Sequence, residues 1–391
     1  MPLPWYGAAA IGLALTLTPT PAPTPDPTPA ATPTRAVVCD PEPGVQDVTG
    51  KPWPQERLRF QRVWRLTRGE GVTVAVVDSG VDAAHPQLAG VVSRQVDLTG
   101  TGARDCVGHG TAVAGIIAGR DLTSRGVPVM GVAPAARILS IKQTEGQTGD
   151  VARLAEGIRQ AADLGADVIN VSVQAHDHPA LKAAVAYAQA KDAVIVAAAG
   201  NVKQEDGAVT PAYPAEYPGV VAVGSASPGG GKSEFSNGAT RISVTAPGAG
   251  VTSAWTGGGY RTGLDGTSFA APFVSGVAAL IRARHPDLDH WGVKRMLEQT
   301  AEGGGAAGTG AGLVNPLLAV TSVLPPAAQK SGDAAAPVVL ARAPVPDERA
   351  RGIAVAIAGG AIGVTVLVVF LALTLPRARR RSRRTGHLQE S

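Results

Sequence analysis

Short apolar segments that alternate with helical patterns are the feature that most constrains the fold of this 391-residue chain. Five of the six residues that precede Asp78 are apolar, which is typical of a strand buried on both faces of a parallel sheet. Further strands are predicted at residues 138–143, 168–173, 194–198 and 220–224, and helices at residues 55–66, 149–164, 179–190 and 290–299. This alternation predicts an α/β fold, with a mostly parallel central sheet flanked by helices.

Two polar residues stand at the ends of predicted elements. Asp78 follows its strand directly, and open α/β sheets hold their active sites at the carboxyl ends of strands. His109 lies between Gly108 and Gly110, at the start of a helix of small residues, and the glycines let backbone or substrate approach closely. The alternatives are a carboxylate that closes a turn and a histidine that fills an ordinary polar position.

The stretch Gly266-Thr267-Ser268-Phe269-Ala270-Ala271-Pro272 predicts a tight turn followed by a helix, with Ser268 at the mouth of that helix. Negative charge that develops beside Ser268 would be stabilised by the free N–H groups and the dipole of the helix N-terminus. An acyl-transfer nucleophile needs such a place. The alternative is a serine that only caps the helix.

Asn201 follows the strand predicted at residues 194–198. Its side-chain amide can donate into a cleft beside Ser268 and, together with the backbone N–H of Ser268, form an oxyanion hole. An asparagine in a left-handed turn is the alternative interpretation.

Four short blocks resemble the signature of the subtilisin-like serine proteases. They are Asp78-Ser79-Gly80, Gly108-His109-Gly110-Thr111, Gly200-Asn201 and residues 266–272, and their order Asp, His, Ser is that of the subtilisins. The resemblance covers roughly residues 55–322 and implies a subtilisin-like three-layer fold. It also implies that Asp78, His109 and Ser268 form a catalytic triad, with Asn201 in the oxyanion hole.

The same resemblance implies a serine endopeptidase that needs no cofactor, and no metal is expected at its site. A metal site formed by His176 and His178, which lie two residues apart, is the alternative interpretation of those side chains.

By resemblance, an extended peptide substrate would lie as an added strand along residues 143–146 and 172–174. The residues expected to bind the substrate are Ser172, Val173, Gln174, Ala198, Ala199 and Gly200. Many relatives have a glycine where this chain has Gln174, so that side chain is expected to narrow or polarise the first specificity pocket.

The chain has two cysteines, Cys39 and Cys106. In an exported protein such a pair indicates one disulfide, and two buried free thiols are the alternative. Four features of the chain resemble the mycosins, which are membrane-anchored subtilases associated with type VII secretion. They are the cysteine pair, the run from Asp105 to His109, residues 64–69 and an apolar C-terminal segment. That resemblance implies an N-terminal extension that wraps the catalytic domain. Mycosins often have a second disulfide, for which this chain has no further cysteines.

Residues 353–375 form a run of 23 residues without a charge, about 35 Å long as a helix, which is enough to span a bilayer. Six arginines follow within residues 376–391 and predict a cytoplasmic tail. The catalytic domain is therefore expected on the extracytoplasmic side, on a single-pass anchor in the cell membrane.

The N-terminal region is expected to agree with that topology. Residues 1–17 contain a short apolar stretch that predicts a signal peptide, although no positive charge precedes it, and a retained anchor is the alternative. Residues 18–54 are predicted to be a Pro/Thr-rich spacer and N-terminal extension, and residues 323–352 a Pro/Ala-rich linker.

The predicted tail, residues 376–391, carries a net charge of +5, and the whole chain carries +4. Residues 1–375 therefore carry a net charge of about −1. The charge therefore gives no reason to expect nucleic-acid binding. The expected function is cleavage of exported proteins or peptides by an anchored serine endopeptidase, in association with a type VII secretion complex. The alternative is a mainly structural component that stabilises such a membrane complex.

Overall fold

The structure is a computed structural model that describes residues 1, 5, 7, 39, 41–146, 150–202, 209–324 and 348–382. Contacts divide the chain into two units, Met1–Leu324 and Pro325–Ser391. Most of the predicted signal peptide, spacer, linker and basic tail lies outside the described residues, so those predictions stay predictions.

The strands of the first unit are β1 (Thr73–Asp78), β2 (Val92–Asp97), β3 (Arg137–Lys142), β4 (Val168–Val171), β5 (Val194–Ala198), β6 (Val221–Ala226), β7 (Val244–Pro247), β8 (Val251–Ala254), β9 (Tyr260–Leu264), β10 (Glu302–Gly303) and β11 (Gly312–Leu313). Its helices are α1 (Trp53–Leu58), α2 (His109–Ala118), α3 (Val151–Asp163), α4 (Pro179–Ala190), α5 (Thr267–Arg284), α6 (His290–Gln299) and α7 (Pro316–Thr321). Short 3-10 helices occupy Phe60–Arg65, Thr123–Arg125 and Thr256–Gly258.

Nine strands form one sheet in the order β10-β11-β7-β6-β5-β4-β1-β3-β2. All neighbouring strands in it are parallel except β10 and β11, and strands β8 and β9 form a separate antiparallel pair. The predicted α/β fold with a mostly parallel sheet is therefore confirmed.

Helices cover both faces of the sheet and complete the three layers. Helices α2 and α5 pack into one hydrophobic core, and α3 and α4 pack into the core on the opposite face. Fifteen of the 18 residues of α5 are buried, so this helix is apolar around most of its circumference, as a central helix must be.

The sheet order brings the carboxyl ends of β1, β4 and β5 together. Strand β1 lies between β3 and β4, so the chain leaves it in one direction and later returns on its other side. This is a topological switch point, where crevices form in parallel α/β sheets.

The predicted single helix of residues 55–66 was wrong. Helix α1 ends at Leu58, and a 3-10 helix follows from Phe60. Between them Arg59 has a φ of 48°, a left-handed conformation that interrupts the helical hydrogen bonds. The pattern was misleading because Leu58 and Val63 are both buried although they belong to different helices.

In the second unit, helix α8 spans Glu348–Ser382. Its segment Arg351–Leu373 has 23 residues and contains an 18-residue window with a mean hydropathy of 2.6. By length and composition it is the one helix in the described part of the chain that could cross a membrane.

Candidate active site

Asp78 and His109 meet at the carboxyl end of the central strand β1. The His109 Nδ1 atom lies 2.7 Å from Oδ1 of Asp78, and the backbone N–H of Ser79 donates to the same oxygen at 2.8 Å. Asp78 is 1% exposed, whereas the His109 side chain keeps 15% of its surface exposed. One edge of the imidazole is thus held by a buried carboxylate while the ring still reaches the cleft.

The pKa of His109 reflects two opposing effects. Burial of the ring favours the neutral form, but the neighbouring carboxylates, Asp78 first and Asp105 next, outweigh it and raise the pKa above its ordinary value. The pairing therefore stabilises an imidazolium, the form that His109 takes after it accepts a proton.

Helix α2 starts at His109 because the preceding residue can turn sharply. Gly108 has a φ of 88°, in the left-handed region that favours glycine, and the ring of Trp255 occupies the space where its β-carbon would lie. A larger residue at this position would displace either the helix start or Trp255.

Ser268 is in the first turn of helix α5, as the sequence predicted, and it is partly exposed. Its carbonyl accepts a hydrogen bond from the Ser172 hydroxyl at 2.8 Å. The Ser172 hydroxyl in turn accepts from the Asn170 amide, and the carbonyl of that amide accepts from Ser275. This buried network fastens the start of α5 to the end of strand β4. The Phe269 ring adds a contact to His109, with ring centroids 5.1 Å apart.

Asn201 lies beyond the end of strand β5 and contacts the residue before Ser268. Its Oδ1 atom accepts hydrogen bonds from the N–H and the hydroxyl of Thr267. Ser268, His109 and Asn201 all line one cavity of about 110 Å³.

Five of the six predicted substrate-binding residues also line this cavity, namely Ser172, Val173, Gln174, Ala198 and Gly200. Ala199 is instead fully buried, and its carbonyl accepts hydrogen bonds from Asn237 and Thr240. Gly146 lines the cavity as well, from the first of the two predicted substrate-binding segments.

Cys39 and Cys106 form a disulfide, as predicted. The adjoining N-terminal strap, residues 41–45, pairs through Val45 with Tyr260 of strand β9. In the strap, Glu42 accepts from Trp255 through its carbonyl and forms an ion pair with Arg261 at 2.8 Å. The strap thus holds both the β8–β9 hairpin and, through the disulfide, the segment before His109.

One member of the histidine pair His176 and His178 has a structural role. The Nδ1 atom of His178 accepts a hydrogen bond from the Ala180 N–H and caps helix α4. Within the described residues, no group of three or more histidine, cysteine, aspartate or glutamate side chains could hold a metal ion.

Sequence reasoning missed the polar residues that position the site, chiefly Asp105, Asn170 and Ser275. Asp105 belongs to the block around His109, four residues before it, and this proximity was the available signal. Asn170 and Ser275 carried none, because their role depends on the distance between β4 and α5.

Comparison with known proteins agrees with this fold and site. Residues 69–330 match the profile of the Subtilase family, Peptidase S8. The chain belongs to this family, whose members are subtilisin-like serine endopeptidases.

Within that family the chain is similar to the mycosins. It is 40% identical over 372 residues to Mycosin-4 of Mycobacterium tuberculosis (strain ATCC 25618 / H37Rv), across 82% of this chain and 81% of the relative. The crystal structure of MycP1 from the ESX-1 type VII secretion system superposes with a TM-score of 0.65 and 33% identity, over 72% of this chain and 90% of that one. The MycP3 protease from the type VII (ESX-3) secretion system gives a TM-score of 0.62 and 34% identity, over 71% and 91%. The protein is thus a subtilisin-like serine protease of the mycosin type.

Proposed function

We propose that Asp78, His109 and Ser268 are the catalytic triad of an anchored endopeptidase that cleaves exported proteins or peptides outside the cytoplasm. The observation that carries the proposal is the 2.7 Å contact between Nδ1 of His109 and the buried Asp78. That contact leaves Nε2 of His109 to act in the cavity that Ser268 also lines.

In this mechanism the Ser268 hydroxyl attacks the scissile carbonyl while His109 removes its proton. His109 then returns the proton to the leaving amine, and water repeats the sequence on the acyl-enzyme. Asp78 holds the imidazole tautomer with Nδ1 protonated and stabilises the imidazolium. No cofactor takes part in any of these steps.

The oxyanion of each tetrahedral intermediate would bind to the Asn201 side-chain amide and the Ser268 backbone N–H. The position of Ser268 in the first turn of α5 supports this role, because N–H groups in the first turn of a helix have no intrahelical acceptor. The helix dipole adds a favourable field for the developing negative charge.

The substrate would lie in extended form between the segments that contain Gly146 and Ser172, both at the cavity wall. Backbone hydrogen bonds to such a strand are independent of sequence, so side-chain pockets decide which peptides are cut. The first of these pockets is formed by Gln174, Ala198 and Gly200.

Helix α8 would anchor the protein, with the six arginines of residues 376–391 on the cytoplasmic side. This single-pass topology leaves the catalytic domain outside the membrane. The similarity to MycP1 and MycP3, each described as part of a type VII secretion system, supports an association with such a secretion complex.

A direct test uses a fluorophosphonate, which phosphonylates an activated serine. We expect label on Ser268, located by peptide mass spectrometry, and no label in Ser268→Ala or His109→Ala. Both variants should retain the wild-type circular dichroism spectrum. Unlabelled wild-type protein, or label on another serine, would refute the triad.

The alternative of a mainly structural role is tested in cells that lack the protein. Complementation with Ser268→Ala is compared with the wild-type gene, and export and chain processing are both scored by mass spectrometry. Normal export of unprocessed chains would assign the secretion role to the body of the protein. Loss of export would show that proteolysis is required for secretion.

A further inference from the structure

A second buried carboxylate, Asp105, lies four residues before His109 and is fully shielded from solvent. Its Oδ1 atom accepts hydrogen bonds from the Ser79 hydroxyl at 3.0 Å and from the N–H groups of Val107 and Gly108, both at 2.9 Å. Its Oδ2 atom accepts from the N–H and the hydroxyl of Thr111, at 2.9 and 2.6 Å. Five donors thus converge on one side chain.

Four of the five donors belong to residues that flank His109 in the sequence. Val107 and Gly108 immediately precede it, and Thr111 follows in the first turn of α2. Asp105 therefore satisfies N–H groups at the helix start that have no intrahelical acceptor, and it holds both ends of the segment that carries the histidine.

The remaining donor, the Ser79 hydroxyl, connects the His109 segment to strand β1, which ends at Asp78. The Ser79 hydroxyl donates to Asp105 and accepts from the Gly110 N–H at 3.0 Å. The Ser79 N–H meanwhile donates to Asp78 Oδ1, the oxygen that contacts His109. Ser79 thus links the two carboxylates from opposite ends of one residue.

We propose that Asp105 is a positioning residue that sets the orientation of His109 relative to Asp78 and stabilises the imidazolium through its own negative charge. The inference rests on the proposed role of His109 as the general base. It adds a buried carboxylate that does not touch substrate and acts through the histidine.

The five donors favour the ionised form of Asp105. Burial outweighs the hydrogen bonds from Thr111, Val107 and Gly108 and raises the pKa of the Asp105 carboxyl above its ordinary value, while those hydrogen bonds favour the ionised form. Three of the five donors are backbone N–H groups, which can only donate, and an ionised carboxylate can only accept. Within the described residues, Asp78 and Asp105 are the charged groups whose electrostatic effect raises the pKa of His109.

The test measures the rate of fluorophosphonate labelling and of peptide hydrolysis against pH in Asp105→Asn. Removal of the charge lowers the pKa of His109, so the acid limb of both profiles should move to lower pH by about one unit. Because His109 would no longer be held in its orientation, kcat on the pH-independent plateau of the profile should fall by about 10- to 100-fold. KM should change by no more than roughly twofold.

Asp192→Asn is the control, because Asp192 also accepts several hydrogen bonds, among them those from Arg282 at 2.9 Å and the His290 N–H at 2.6 Å, but its hydrogen bonds within the described residues do not involve the segment of His109. We expect it to lower stability and to leave the acid limb and the plateau unchanged. Ser79→Ala removes the hydrogen bond between strand β1 and Asp105 but keeps the Asp105 charge. The plateau value of kcat should therefore fall in this variant, while the acid limb of its pH profile stays where it is in the wild type.

An acid limb in Asp105→Asn that coincides with the wild-type limb would overturn the inference, as would an equal shift in Ser79→Ala. If Asp105→Asn does not fold, the carboxyl is titrated by ¹³C NMR in the unmutated protein. Ionisation of Asp105 throughout the active pH range supports the inference, and protonation in that range overturns it. Absence of labelling in the wild type would instead refute the triad itself, so the two failures are distinguishable.

Discussion

Thr267 donates both its backbone N–H and its side-chain hydroxyl to Oδ1 of Asn201, over 3.0 and 3.1 Å. A backbone N–H needs an acceptor, so these contacts fix which end of the Asn201 amide is the oxygen. The Nδ2 atom of Asn201 therefore points away from these Thr267 donors. Asn201 lines the cavity beside Ser268. The residue before the proposed nucleophile thus orients the proposed oxyanion donor.

Replacement of Asn201 by alanine removes that donor. We expect kcat to fall by about 10²–10³-fold, as found for a side-chain donor in subtilisin, with little change in KM because the donor acts mainly in the transition state. Steady-state kinetics on a peptide substrate measure both constants. Thr267→Val, which removes only one hydrogen bond to Asn201, should have a smaller effect, and an unchanged kcat in Asn201→Ala would show that the oxyanion binds elsewhere.

Gln174→Gly should widen the first specificity pocket. A β-carbon at Gly200 would collide with the Gln174 amide oxygen, so the glutamine side chain lies against Gly200 at the cavity wall. We expect kcat/KM for a phenylalanine or leucine before the scissile bond to rise about tenfold relative to alanine, since pocket volume sets such preferences. A series of peptides that differ only at this position gives the ratio.

Gln174→Met is the control for that experiment because it keeps the length of the side chain and removes the amide. If Gln174→Met keeps the wild-type preference for a small residue before the scissile bond, the width of the pocket sets that preference. If the preference is lost, the polarity of the glutamine amide sets it. An identical order of preference in the wild type and Gln174→Gly would contradict any role of residue 174 in specificity.

The disulfide between Cys39 and Cys106 joins residues 67 positions apart. In the chain-entropy model, closure of a loop of this length stabilises the fold by about 4 kcal/mol. The double variant Cys39→Ser with Cys106→Ser should lose up to that amount of unfolding free energy, measured by denaturant titration. Wild-type protein in reductant is the control and should match the variant. A loss below about 1 kcal/mol would show that the contacts of the strap at Glu42 and Val45 suffice.

His85 should make the fold sensitive to mild acid. It is fully buried, its Nδ1 accepts from the Gln87 N–H at 3.1 Å, and its Nε2 meets the Gly259 carbonyl at 2.9 Å, which fits the neutral ring only. Burial lowers its pKa below the ordinary value of 6.5. The neutral ring therefore stabilises the fold above pH 6.5, and this contribution is lost as the pH falls towards the lowered pKa.

The measurement is the unfolding free energy between pH 7 and pH 5 in the wild type and in His85→Gln. The wild type should lose up to about 1.4 kcal/mol per pH unit more than the variant in this window. His109 acts in the opposite sense: its pKa is raised, so its contribution is present below pH 6.5 and is lost as the pH rises through the folded-state pKa. Parallel curves for the two proteins would exclude His85 as the source of acid sensitivity.

The central strands were predictable because their residues are apolar on both faces, a local signal that holds in any parallel sheet. Strand β2 gave no such signal, since it lies at the edge of the sheet and its residues Ser93, Arg94 and Gln95 are exposed. The β8–β9 pair was missed for a related reason, because it is outside the main sheet and the middle residues of β9 are exposed or half-buried.

The amino-acid sequence is enough to predict the chemistry and the order of its residues: a carboxylate at a strand end, a histidine between glycines, and an asparagine and a serine in recognisable blocks. Such residues are recognisable locally because each sits at a turn that only certain neighbours permit. It was the three-dimensional structure that brought Asp78 and His109, 31 residues apart, within 2.7 Å of each other and placed Ser268 at the same cavity as His109. It also decided that Asp105 holds the histidine segment. These relationships depend on sheet order and on buried hydrogen bonds between distant elements, whose distances no local pattern in a single sequence encodes.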